Sequence, residues 1–146
     1  MALEFLKRIF NPNKVEIELN EIQALILRSR PIPYFGTVAI IEINDAVAAR
    51  QMLQKLLPIV SSAEDWHKNE GASVTLTFTY KGLEKIGVPQ ESLDTFPESF
   101  KEGMAERSRF LYDIGVNDPK NWEKVFKRSH IHIAAAIIAN NEEAWK

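Results

Sequence analysis

The sequence has no cysteine in its 146 residues, which removes disulfides, thiolate metal sites, iron–sulfur clusters and cysteine nucleophiles at once. It also lacks a dominant charge: 18 Lys and Arg stand against 20 Asp and Glu, for a net charge of −2. A nucleic-acid binder needs a basic face and a high pI, so neither DNA nor RNA is an expected partner. No apolar run approaches the roughly 20 residues of a membrane-spanning helix. Phosphate-cradling glycine loops, paired-histidine metalloprotease helices and serine elbows are all missing. Carboxylates are plentiful but scattered, as on a solvated surface.

The apolar content of 45% lets a chain of this length close one core, and length argues against two independent ones. The first ten residues, MALEFLKRIF, do not read as a secretory signal, because Lys7 and Arg8 follow the first apolar residues. Leu3, Leu6, Ile9 and Phe10 recur at helical spacing and predict a short amphipathic helix. Such a helix would dock on the domain or on a partner, since a stable membrane anchor needs more apolar area or a polybasic patch. Asn11-Pro12-Asn13 breaks it. The expected organisation is an arm over 1–19, a single domain over 20–146, and a cytoplasmic location.

Residues 21–28 look like a short strand or strand-like arm. Pro31 and Pro33 cannot belong to a central strand, because each lacks a ladder donor. The run 34–43, YFGTVAIIEI, is apolar and β-branched, as a buried central strand should be. Asn44 or Asp45 can cap a helix over 46–57 that Pro58 ends. Residues 59–62 read as a short strand, and 64–71 as a polar surface loop around Trp66. The clearest strand is 73–79, where Val74, Leu76 and Phe78 point one way and Ser73, Thr75, Thr77 and Thr79 the other.

Thr79 can cap a short helix that Gly87 stops. Pro97 suits the first turn of a longer helix through about Phe110, carrying Phe100, Met104 and Phe110 inward. Asn117-Asp118-Pro119 is a turn, and a last strand spans 130–139. The predicted class is α+β: a ferredoxin-like βαββαβ antiparallel sheet with helices on one face, complete by Ala139. Asn140-Asn141-Glu142-Glu143 then reads as a new helix start.

Four segments together resemble the N-terminal half of dye-decolourising haem peroxidases. They are Glu21-Ile22-Gln23-Ala24-Leu25-Ile26-Leu27; Asn44-Asp45 through Arg50, then Leu56-Leu57-Pro58 and Ser61-Ser62-Ala63-Glu64-Asp65-Trp66; Phe78-Thr79-Tyr80-Lys81-Gly82-Leu83 through Leu93, Phe96-Pro97-Glu98-Ser99-Phe100 and Gly103-Met104-Ala105-Glu106-Arg107; and Leu111, Asp113, Gly115, Pro119 and Trp122. The family usually has glycine where this chain has Ala24. The resemblance implies two ferredoxin-like units in tandem, with haem held by the second, and peroxidase activity in the whole. The family's distal aspartate, in a Gly-x-x-Asp-Gly motif, its distal arginine and its proximal histidine all fall beyond Lys146. Gly115-Val116-Asn117-Asp118-Pro119 matches that motif for four residues, but Pro119 replaces its second glycine. No family catalytic residue therefore maps onto this chain, and no haem is expected on it alone.

His130 and His132 fall on one face of the expected last strand, where both could reach one metal or either could ligate haem iron. The competing reading makes them polar residues of a half-exposed sheet. His67 is expected in solvent. Arg109 and Asp113 are spaced to form an ion pair one turn apart. Trp66, Trp122 and Phe100 are expected to pack rather than to form a stacking platform. Three functions remain open: a non-catalytic domain that self-associates or binds a partner; a peroxidase completed by a separately encoded haem-binding half; and a small dimer that binds haem through His132 or His130. The first is preferred, because a lone sheet with one uncovered face must bury it, most simply against a second copy.

Overall fold

The computed structural model describes residues 17–27, 34–64, 72–127 and 130–145. The expected helix over 3–10, together with Trp66 and His67, lies outside the described residues. In chain order the elements are α1 (Ala24–Leu27), β1 (Phe35–Ile41), α2 (Ala46–Leu56), β2 (Ala72–Phe78), α3 (Tyr80–Ile86), α4 (Gln90–Asp94), α5 (Glu98–Glu106), β3 (Ile133–Ala139) and α6 (Glu142–Trp145).

The three strands form one sheet in the order β1-β3-β2. β3 is central and antiparallel to both neighbours, with Ile133 opposite Ile41 and Phe78, and Ala139 opposite Phe35 and Ala72. β1 and β2 therefore run parallel to each other, joined through α2, with β3 between them. This is the split βαβ arrangement of ferredoxin-like folds, present in three strands.

Two expectations about the sheet need correction. Residues 59–62 do not form a strand. Pro58 favours a 3-10 turn over Leu57–Ile59, and Val60 then makes a single parallel bridge to Val74. The run beginning at Tyr34 is not a buried central strand either. β1 has a sheet neighbour on one side only among the described residues, and only Ile41 of its seven residues is half-buried. Its apolar, β-branched composition suits contact on both faces, but which strand takes the middle is decided by pairing.

Local capping follows the sequence closely. Asp45 Oδ1 accepts the Ala48 N–H at 2.6 Å and starts α2. Thr79 Oγ1 accepts the Gly82 N–H at 3.0 Å and starts α3, which Gly87 ends at φ +87°. The core sits where α2 and α3 meet one end of the sheet. Ile43, Ala49 and Ile133 are buried there, with Ile41, Met52, Leu53, Phe78 and Ile86 packed around them. Arg50 Nη1 adds a hydrogen bond to the Ile86 carbonyl at 2.7 Å.

The connection from β2 to β3 departs further from expectation. A helix α4 that was not anticipated follows Pro89 and buries Leu93. The helix expected through Phe110 ends at Glu106, and its backbone already leaves helical geometry at Gly103 (φ 77°, ψ 176°). Phe100 is half-buried as expected, but Met104 is 64% and Phe110 81% exposed, because the break abolishes the helical spacing that would have aligned them. Over the described part of the expected strand 21–28, residues 21–27, there is likewise no strand. Leu19–Glu21 makes a 3-10 turn, and the good helix formers of α1 follow a single bridge from Gln23 to Ser62.

Candidate functional site

Cross-strand partners share a face, so the register divides the sheet cleanly. Ile41, Ile133 and Phe78 face α2 and α3. On the other side lie Gly36, Val38 and Ile40 of β1, Ala134, Ala136 and Ile138 of β3, and Ser73, Thr75 and Thr77 of β2. Val38 is 62% exposed, Ile40 is 37% exposed, and the three β3 residues are half-buried. At the β2 margin of the same side, Ser73 Oγ and Thr75 Oγ1 are buried without a hydrogen-bond partner. The alternation of β2 is as expected, and on this side Ser73 and Thr75 are buried while Thr77 is exposed. This second face is an apolar, small-residue surface of the kind that packs on another sheet.

The outer margin of β2 is closed by side chains. Gln23 Nε2 donates to the Leu76 carbonyl at 2.8 Å, while Gln23 Oε1 accepts the Leu76 N–H at 2.8 Å. Two residues away, Ser61 N donates to the Val74 carbonyl at 3.0 Å and Ser61 Oγ accepts the Val74 N–H at 3.2 Å. This clamp is not legible in the sequence, because an amide pairing with a strand 53 residues on leaves no periodic signal.

The two histidines part company. β3 begins only at Ile133, so both precede it, and they do not share a site. His132 is 7% exposed, and its Nδ1 accepts the Ile43 N–H at 2.8 Å. A neutral imidazole accepting at Nδ1 carries its proton on Nε2, so neither nitrogen has a lone pair left for iron. Burial holds its pKa below the ordinary imidazole value; Glu42 opposes that shift, while Lys85, His130 and Lys81 add to it. The His130 side chain is 60% exposed, with Nδ1 3.9 Å from Glu42 Oε1. Haem does not fit this pair: one ring is committed to the backbone and the other is in water. No group of three or more potential metal-ligating side chains occurs among the described residues.

Asp118, in the turn that partly matches the distal aspartate motif, is occupied locally. Its Oδ1 accepts the Lys120 N–H at 2.9 Å, and Lys120 Nζ lies 3.3 Å from its Oδ2. The bond from the Lys120 backbone lowers its pKa, and the ammonium adds to that effect. The expected Arg109–Asp113 pair is not formed, since residues 107–112 are turns rather than helix. Arg107 instead approaches Glu102, with Nε 3.6 Å from Oε2, and lies over the Phe110 ring at 4.9 Å.

One helix-covered face and one apolar face left exposed along its β1 side are what half of an α+β barrel presents. Residues 21–146 match the family described as the DyP dimeric alpha+beta barrel domain, and the chain belongs to that family. Among solved structures it is similar to an ancestral D-type dye decolorizing peroxidase, at 25% identity and TM-score 0.71, over 89% of this chain and 29% of that one. It is similar to a fungal DyP-type peroxidase from Auricularia auricula-judae, at 17% identity and TM-score 0.73, over 90% of this chain and 28% of that one. A dye-decolorizing peroxidase whose heme pocket was engineered for asymmetric sulfoxidation also matches, at 19% identity and TM-score 0.70, over 88% of this chain and 28% of that one. The chain thus spans under a third of the length of these proteins. Compared with curated proteins by sequence, it matches none.

Proposed function

We propose that this domain acts as a docking half, a sheet whose open face pairs with a second ferredoxin-like unit, and that it performs no chemistry of its own. The carrying observation is the apolar face formed by Val38, Ile40, Ala134, Ala136 and Ile138, which is exposed at Val38 and Ile40 and half-buried along the central strand. Small residues in the central strand let a second sheet approach closely, and exposed valine and isoleucine supply area whose burial drives association. The simplest occupant is a second copy across a twofold axis, which makes the protein a homodimer. Analytical ultracentrifugation from 1 to 100 μM tests this directly, at concentrations chosen to span about micromolar affinity. A sedimenting dimer is expected, and a monomer across the whole range would refute the self-pairing.

A second reading keeps the same face and changes its occupant. One solved relative carries a heme pocket, and this chain covers 28% of that protein. Here a haem-bearing unit fills the face, and the pair reduces hydrogen peroxide while oxidising dyes or other reductants. Co-expression with a C-terminal half of a relative tests it. A co-purifying complex with a Soret band supports this reading, and two halves that never co-purify count against it.

A further inference from the structure

We propose that a cavity walled by the end of β2, by α5 and by the loop around Trp122 is a binding site for a planar aromatic anion. Its volume is about 440 Å³, which suits a small organic molecule. All its lining residues fall between Phe78 and Ile131, and none lies on the open sheet face, so the site does not depend on the docking reading.

The walls select for a flat ring. Tyr80, Phe100, Trp122 and Phe126 line the space, and Tyr80 meets Phe100 edge-on with centroids 6.3 Å apart. Trp122 is held in place before any ligand arrives, its indole Nε1 donating to the Asn117 carbonyl at 2.8 Å. Phe126 is 50% exposed and Met104 is 64% exposed, so the apolar lining opens to solvent where a ligand would enter. Aromatic faces of this kind bind rings through offset or edge contacts in addition to burying area. The non-helical Gly103 also lies in the wall, and a side chain there would meet nothing within 4 Å, so the break opens the space.

The rim selects for negative charge. Lys81, Lys101 and Arg107 line the cavity against a single carboxylate, Glu102, in a chain whose net charge is −2. The existing ion pairs leave these cations undersatisfied. Lys101 Nζ is 3.8 Å from Glu98 Oε2 and 3.4 Å from the Asp94 carbonyl, while Arg107 Nε is 3.6 Å from Glu102 Oε2. All three distances exceed those of strong charge-assisted hydrogen bonds. Lys81 is exposed and makes no ion pair among the described residues. An aromatic carboxylate or sulfonate would place its ring among the four aromatics and its anion at this rim.

Isothermal titration of the whole chain with 2-naphthoate, and with neutral 2-naphthalenemethanol, tests the assignment. Saturable binding at one per chain is expected, with the neutral compound weaker by at least about tenfold, as losing a charged hydrogen bond implies. Lys81→Glu should weaken naphthoate by a similar factor, and Phe126→Ser should weaken both compounds. Both positions are exposed enough for circular dichroism to stay unchanged. Val38→Lys, on the open sheet face, should leave the affinity as it was. No saturable binding, equal affinity for the neutral compound, or loss on Val38→Lys but not on Lys81→Glu would each overturn the proposal.

Discussion

His132 Nδ1 lies 2.8 Å from the backbone nitrogen of Ile43 and accepts its hydrogen, tying together positions 89 residues apart. The same residue donates its N–H to the Ile41 carbonyl at 3.1 Å and accepts the Thr79 N–H at 3.0 Å. One histidine thus joins the end of β1, the start of β3 and the cap of α3. Protonation at Nδ1 would replace the acceptor with a donor facing a donor. Because burial lowers the folded pKa, the unfolded chain binds the proton more readily, and acid favours unfolding. The stabilisation is complete above the unfolded value of about 6.5 and is lost as pH falls toward the folded one. Urea midpoints should therefore drop between pH 7 and pH 5, and His132→Gln should flatten that dependence. Parallel curves for the two proteins would rule His132 out as the cause.

Gly82 is fixed by contact rather than by backbone conformation. A methyl group at this position would overlap the carbonyl carbon and oxygen of His132, which are backbone atoms and cannot turn aside. Gly82→Ala should cost about 1–3 kcal/mol by overpacking, visible as a lower thermal midpoint. Gly36→Ala is the comparison, since its nearest neighbours stand at 3.6 Å, ordinary contact distance. A Gly82→Ala midpoint equal to that of Gly36→Ala would show that the helix can shift to absorb the methyl.

Gln23 does for β2 what a neighbouring strand would do. Both of its amide atoms bond the Leu76 backbone, so a strand edge that could template aggregation is closed. Gln23→Leu removes both partners and leaves two part-buried backbone groups unpaired, a loss of about 1–3 kcal/mol. Hydrogen exchange at the Leu76 amide should accelerate more than at Thr77. Unchanged protection at Leu76 would mean that water or another group substitutes for the amide.

What the sequence revealed divides along the range of the interactions. Asp45, Thr79 and Gly87 act within one helical turn, and each does what its residue type prescribes. The sheet order depends on pairings such as Val38 with Ala136 and Thr75 with Ala136, about 60 to 100 residues apart, which composition does not encode. Hence the apolar run of β1 read as central, whereas the alanine-rich β3 holds that place. Met104 and Phe110 were misplaced by one glycine, whose break at Gly103 no periodicity count registers. The open face was legible as a consequence of the class of fold. The cavity was not, because its walls come from four separate stretches of chain.

The docking reading makes a charge-placement prediction that composition cannot mimic. Val38 is 62% exposed on the open face, and Val47 is 56% exposed on α2, on the helical side. Lysine at either position adds the same charge and leaves the buried core untouched, so both variants should fold with similar stability. At Val38 the ammonium would be taken out of water between two sheets, with no carboxylate among the face residues to pair with it. An uncompensated buried charge costs several kcal/mol, enough to weaken self-association by about a hundredfold or more. Sedimentation at 20 μM, chosen as about twenty times a micromolar dissociation constant, should then show Val38→Lys as monomer and Val47→Lys still as dimer. If Val47→Lys dissociates the dimer while Val38→Lys leaves it intact, the helical side carries the interface and the open sheet face needs a different occupant.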